Sequence, residues 1–129
     1  MMVEVDWSHT IHLAVQPVSA SLARNFVRRH LLAHGLPAVS DDVVLVVSEL
    51  ATNALVHART PFTVSIRRFE QTVILIVEDG SRDRPALIAH EMTDTSGRGL
   101  AIVTLLSAAW GADEHHDGRK SVWAEFDLR

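Results

Sequence analysis

The chain has no cysteine, so disulfides and thiolate metal sites are excluded and a reducing compartment is allowed. No apolar run approaches the roughly 20 residues that cross a bilayer. Met1 to Leu13 does not join a cationic stretch to a long apolar one, so no signal peptide is expected. Basic charge is not in excess: 12 Lys and Arg against 16 Asp and Glu give a net charge of −4. That argues against direct nucleic-acid binding, which calls for a basic stripe. Internal repeats, low-complexity tracts and a linker are also missing. What remains is a single domain, residues 1–129, with 47% hydrophobic and 22% charged residues. Such a chain is globular and long enough to bury a core. A soluble cytoplasmic protein without membrane contact is the expectation.

The apolar pattern gives the elements. Ile11, Leu13 and Val15 alternate with His12 and Ala14, a short strand ending at Pro17. Ser19 or Ser21 caps a helix to about His34, and Gly35 stops it. That helix carries Arg24, Arg28 and Arg29, read as a solvated face or a docking surface. Ser40 suits the N-cap of a second helix running to about Ala58, with Asp41 and Asp42 at its positive end. Strands are expected at Phe62 to Phe69 and Thr72 to Glu78, joined by Glu70-Gln71. Gly80 to Ser96 has little periodicity and reads as a functional loop. Gly97 opens a third helix through about Leu106. Trp110-Gly111-Ala112 leads into a polar turn, Asp113 to Gly118, and Ser121 to Phe126 is the last strand. The order strand, helix, helix, strand, strand, helix, strand implies an α+β two-layer sandwich, a largely antiparallel sheet with helices on one face.

Three pieces carry chemistry. Glu49 and Asn53 lie four residues apart, on one face of the second helix, with His57 one turn further along. Asp79 ends an apolar strand and is followed by Gly80. Gly97-Arg98-Gly99-Leu100 places glycines at a helix start, where backbone N–H groups and the helix dipole favour phosphate. Asn53 offers a neutral oxygen to a hard cation such as Mg²⁺. Glu49 can take a proton from an attacking hydroxyl or water. Asp79 can accept a hydrogen bond from an exocyclic amine, which favours adenine over guanine. The run Asp113-Glu114-His115-His116-Asp117 is taken as a solvated turn, because contiguous residues rarely converge on one ion.

These motifs resemble those of the GHKL superfamily of Bergerat-fold, histidine-kinase-like ATP-binding domains. The likeness is greatest to anti-sigma-factor serine/threonine-protein kinases and the short actinobacterial regulators similar to them. Glu49 to Ala58 matches that group's N box, Val77-Glu78-Asp79-Gly80 the start of its first glycine box, Gly97-Arg98-Gly99-Leu100 its second, and Lys120 to Ala124 its closing strand. The resemblance implies ATP and Mg²⁺ as cofactors, with Asn53 holding the metal and Glu49 as catalytic base. It implies Asp79 and Gly80 at the adenine, Ser121 beside it through water, and Gly97, Arg98, Gly99 and Leu100 along the phosphates. His57 belongs to the matched motif as a structural histidine or a phosphate contact. One departure stands out: the family pattern D-x-G appears here as Asp79-Gly80-Ser81, with the glycine displaced by one.

By the same resemblance, the expected function is an ATP-dependent serine/threonine kinase acting as an anti-sigma factor in partner switching. Its partners would be a sigma factor and an antagonist protein, and homodimers are common in the family. The alternative is a non-catalytic nucleotide-binding or protein-sequestering module of the same fold. The intact Glu49 and Asn53 favour the first, and the displaced glycine leaves room for the second.

Overall fold

Alternating side chains decide the architecture. The computed structural model describes residues 5–80 and 94–128, except for the side chains of residues 94–98 and Leu100. Its elements are β1 (Trp7–Leu13), α1 (Val18–Ala33), α2 (Pro37–Asn53), a π-helical turn (Ala54–Ala58), β2 (Phe62–Phe69), β3 (Thr72–Asp79), α3 (Asp94–Leu106), β4 (Ala109–Glu114) and β5 (Lys120–Asp127). The strands form one sheet in the order β1-β2-β3-β5-β4, every neighbouring pair antiparallel. This is the α+β sandwich that the sequence implies.

Within β3, Val73, Leu75 and Val77 are buried while Ile74 and Ile76 between them are half-buried. The apolar run is therefore not a strand enclosed on both sides. One face lies under the helices, and the other is only partly covered. Val64 and Ile66 of β2 and Val122, Ala124 and Phe126 of β5 share the covered side, against Val27 and Leu31 of α1, Val43, Val46 and Val47 of α2 and Val103 of α3. At about 1.5–3 kcal/mol per fully buried aliphatic or aromatic side chain, this single core dominates the stabilisation.

Several boundaries differ from expectation for local reasons. β1 begins at Trp7 and stops at Leu13, leaving Val15 exposed, because Trp7, His9, Ile11 and Leu13 already alternate on one face. Here the strand meets α1 through rings. Trp7 stacks on His34 with centroids 4.1 Å apart, His9 stacks on His30 at 3.9 Å, and the Nε2 atoms of His9 and His34 are 2.9 Å apart. Ser19 does not cap α1; its hydroxyl donates to Ala14 O at 2.6 Å. α1 ends in a Schellman motif, with Gly35 N donating to Leu32 O and Leu36 N to Leu31 O. α2 starts at Pro37, ahead of Ser40, which is buried in its first turn. Proline at the first helical position loses no hydrogen bond, since that N–H has no partner inside the helix.

No strand was expected at β4, whose last two residues, Asp113 and Glu114, fall in the expected turn. Its glycine and acidic residues have poor strand propensity, yet an edge strand tolerates both. Gly111 pairs with Trp123, and a Cβ on Gly111 would fall 2.5 Å from Trp123 Cζ2. The indole occupies the space that a side chain would need. α3 starts at Asp94, so Gly97, Arg98, Gly99 and Leu100 lie within its first two turns. Most of the expected loop, including Arg82 and Arg84, falls outside the described residues. No described helix is long and apolar enough to cross a membrane.

Candidate nucleotide site

α2 is held to the core by Val46, Val47, Leu50 and Ala51, all buried. That orientation leaves Glu49 and Asn53 half-buried along its flank. α3 meets α2 at Glu49. Gly99 is buried, and a Cβ built on it would stand 3.1 Å from Glu49 Oε2. The glycine thus gives the carboxylate room between two helices, a role the motif alone did not reveal. On the other side, Arg24 of α1 donates to Ser48 Oγ at 3.3 Å and to Ser21 Oγ at 3.1 Å. Arg24 therefore braces α1 against the residue next to Glu49, whereas Arg28 and Arg29 are exposed.

Beyond Asn53 the α-helical spacing stops. The wider turn closes with Arg59 N donating to Ala54 O at 2.9 Å, and Arg59 takes a left-handed φ of 56°. His57 lies in this turn and is exposed, so it does not extend the Glu49–Asn53 row with α-helical spacing. π-helical turns of this kind are frequent at functional sites. The turn delivers Thr60 to the end of β3, where Gly80 N donates to Thr60 Oγ1 at 3.0 Å. This bond ties the end of the carboxylate-bearing strand to the segment that follows the π-helical turn. A Cβ on Gly80 would meet only Thr60 atoms, at an ordinary 3.8 Å, so the described chain does not itself demand glycine there.

Asp79 is 8% exposed and follows Val77 on the helix-covered face of β3. Its cross-strand partner is Lys120, itself 4% exposed. Ser121 is on the opposite face. Its partner is Glu78, to whose Oε2 it donates at 3.1 Å, and His115 Nε2 lies 2.8 Å from the same hydroxyl. Arg119 forms an ion pair with Glu78. The resemblance puts Ser121 near the adenine through water; strand alternation turns the serine to the face opposite Asp79 and brings Lys120 to the Asp79 side. Although serine, histidine and a carboxylate meet here, they are not a catalytic triad, because the hydroxyl and the carboxylate both approach His115 through Nε2.

A cleft of about 430 Å³ opens over the ends of β1, β2 and β3, lined by His12, Phe62, Thr63, Asp79 and Arg119 among others. It includes neither Glu49 nor Asn53, so it borders the candidate site at Asp79 without forming it. The structure thus joins Glu49 to Gly99 directly, and Gly80, next to Asp79, to Thr60, just past the turn that follows Asn53. Sequence reasoning missed Thr60 and Lys120. Counting back by twos from Phe126, Ala124 and Val122 reaches Lys120, so that signal was present.

A family model described as the histidine kinase-like ATPase domain matches residues 13–126. No curated protein matches the chain. Among solved structures, the RsbU and RsbW domains of Rv1364c from Mycobacterium tuberculosis align with a TM-score of 0.71 at 19% identity, over 94% of this chain and 32% of that one. The SiaB–SiaC complex from Pseudomonas aeruginosa aligns with a TM-score of 0.67 at 15% identity, over 95% of this chain and 89% of that one. This chain therefore spans only a minor part of the mycobacterial protein, and at these identities the likeness is one of fold.

Proposed function

The chain belongs to the histidine kinase-like ATPase domain family, and from that premise we propose that it is an ATP-dependent serine/threonine protein kinase of a partner-switching system. In that system it would act in the cytoplasm as an anti-sigma factor, holding a sigma factor and phosphorylating an antagonist protein. The observation that carries the reading is Glu49, half-buried on α2 with Gly99 against its carboxylate. A carboxylate kept beside a glycine in a helix crossing suits a base that must meet a substrate hydroxyl. Two neighbours in fold support the setting: one includes an RsbW domain beside an RsbU domain, and the other, SiaB, was solved in complex with a second protein, SiaC.

The chemistry follows from named atoms. Glu49 accepts the proton of a serine or threonine hydroxyl as its oxygen bonds to the γ-phosphorus of ATP. The bond from that phosphorus to the β,γ-bridging oxygen breaks, and ADP leaves with the electron pair. Asn53, four residues along the same flank, offers an amide oxygen, a hard donor that suits Mg²⁺. Bound there, Mg²⁺ would supply charge neutralisation on the phosphates. Asp79 accepts a hydrogen bond from the base, and Thr60 fixes the strand end that carries it.

The test uses labelled ATP, Mg²⁺ and candidate antagonist proteins encoded nearby. Glu49→Gln is expected to retain ATP affinity and to lose about 10²–10⁴ in transfer rate, the usual worth of a general base. Asn53→Ala is expected to lose the Mg²⁺-dependent part of ATP affinity in calorimetry. Transfer at the parent rate in Glu49→Gln would remove it as the base. A parent that binds Mg-ATP and a protein partner yet never transfers phosphate would be a sequestering module instead.

A further inference from the structure

Histidines gather where β1 meets the end of α1, away from the candidate nucleotide site. His9 lies on the same face of β1 as Leu13, while His30 and His34 are one turn apart, in the last turn of α1 and at its C-cap. The Nε2 atoms of His9 and His34 stand 2.9 Å apart. Each of these rings is backed by another: Trp7 lies flat on His34 with 4° between the planes, and His30 lies on His9 with 16°. Both imidazoles are half-buried, so they are held in place and still reached by solvent. Strand register keeps them apart from the nucleotide residues. Trp7 and His9 pair with Arg68 and Ile66, toward the end of β2 remote from Phe62, which is the partner of Asp79.

Two nitrogens each about 2.05 Å from one ion, at a right angle about it, are about 2.9 Å apart, whereas about a tetrahedral ion they are about 3.3 Å apart. Right-angled nitrogen pairs belong to square-planar or tetragonal sites, the preference of Ni²⁺ and Cu²⁺. We propose that His9 and His34 form a two-histidine chelate for such a divalent transition ion, which clips the first strand to the end of the first helix. In the hydrogen-bonded pair, one Nε2 carries a hydrogen and the other accepts it. The ion takes the place of that hydrogen. The donor ring gives its Nε2 hydrogen to water and takes one at Nδ1, so both imidazoles stay neutral and both lone pairs point at the ion. The stacked rings of Trp7 and His30 fix the two ligands beforehand, which lowers the entropy lost on binding. Water fills the remaining positions, because among the described residues no set of three or more side chains is placed to hold an ion.

Titration calorimetry of the tag-free protein with NiCl₂ at pH 7.5 tests the site, on the parent, His9→Gln, His34→Gln and His116→Ala. Glutamine keeps a hydrogen-bonding amide in place but offers no imidazole lone pair. The parent is expected to bind one equivalent of Ni²⁺, and Zn²⁺ more weakly. Either glutamine variant should weaken Ni²⁺ by more than about tenfold, the least that loss of an outer-shell partner costs a metal site. His116→Ala, in an exposed turn, should bind as the parent does. Bound Ni²⁺ should also quench the fluorescence of Trp7, through its contact with His34, and Trp7→Phe should lose that quenching and keep the ion. Where one glutamine variant fails to fold, the other is measured. Should both fail, the parent decides, and no quenching from Trp7 would overturn the site. So would a folded glutamine variant that binds Ni²⁺ like the parent, or a parent that binds none. A tighter hold on Zn²⁺ than on Ni²⁺ would overturn the right-angled geometry.

Discussion

A methyl group added at Gly99 would stand 3.1 Å from Glu49 Oε2, so the carboxylate would have to move by a few tenths of an ångström. Alanine favours a helix interior over glycine by about 1 kcal/mol, which offsets the crowding. Gly99→Ala is therefore expected to melt within about 4 °C of the parent while phosphotransfer falls by at least about tenfold, because a displaced catalytic group loses rate before the fold loses stability. A parent-like transfer rate would show that Glu49 acts without this support. Gly111 is the contrasting case. A Cβ there would meet three atoms of the Trp123 indole, at 2.5, 2.8 and 3.1 Å, and no proposed site residue. Gly111→Ala should destabilise by about 1–3 kcal/mol, as overpacking does, with ATP affinity of the folded chain unchanged. An unaltered melting curve would mean that the indole has another place to go. That Glu49 and Asn53 share a helix flank, and that Asp79 ends a strand, was legible, because local periodicity sets both. What Gly99 and Gly111 face was not, because it depends on which distant segment crosses them. The inward side of Lys120 was legible from strand alternation, two residues before Val122.

At the scale of elements, the seam between β1 and α1 makes stability depend on pH. Burial is the main cause that holds His9 below the ordinary value of 6.5, with His34 adding to it. His30 is lowered by burial first, then by His9, Arg29 and His34. The groups that act on the two imidazoles are His9 from β1, Arg29 and His30 from α1, and His34 just past its end. The folded chain therefore resists protons that the unfolded chain accepts near pH 6.5. The stabilisation is full above that value and is lost as pH falls below it, through the lowered folded values. The melting temperature should drop between pH 7.5 and pH 5.5, and His30→Leu should reduce the drop. An equal drop in His30→Leu would place its origin elsewhere. The helices and the hairpin of β2 and β3 could be read from apolar spacing alone. β4 could not, since what makes it a strand is Trp123 on its neighbour, not its own residues. Nor could the π-helical turn, which closes with Arg59 N donating to Ala54 O just before the chain reaches Thr60 and β2.

For the whole molecule, strand order sets which parts of the sheet are local in sequence. β2 and β3 form one hairpin, and β4 and β5 form another, closed by His115 N donating to Arg119 O. The ladder between β3 and β5 joins the two hairpins across a long intervening segment that includes α3, from Thr72 opposite Asp127 to Asp79 opposite Lys120. Long-range pairing of this kind is slow, because loop closure must precede the contacts that compensate it. Each hairpin can form early, and the seam between them closes late. Asp79 and Lys120 make up the rung of that seam nearest the intervening segment, so the proposed base contact of Asp79 is complete only once the seam has closed. A nucleotide bound there stabilises the native state and not the transition state. At a ligand concentration of about 100 times Kd the gain is about 2.7 kcal/mol, and almost all of it should appear as slower unfolding, about a hundredfold. Stopped-flow refolding and unfolding with and without ATP would measure the two limbs separately, and faster refolding with ATP would place the seam in the folding nucleus instead. On this order of events the empty protein opens first along the line that carries Asp79, so a nucleotide held at the proposed site would set the lifetime of the folded chain.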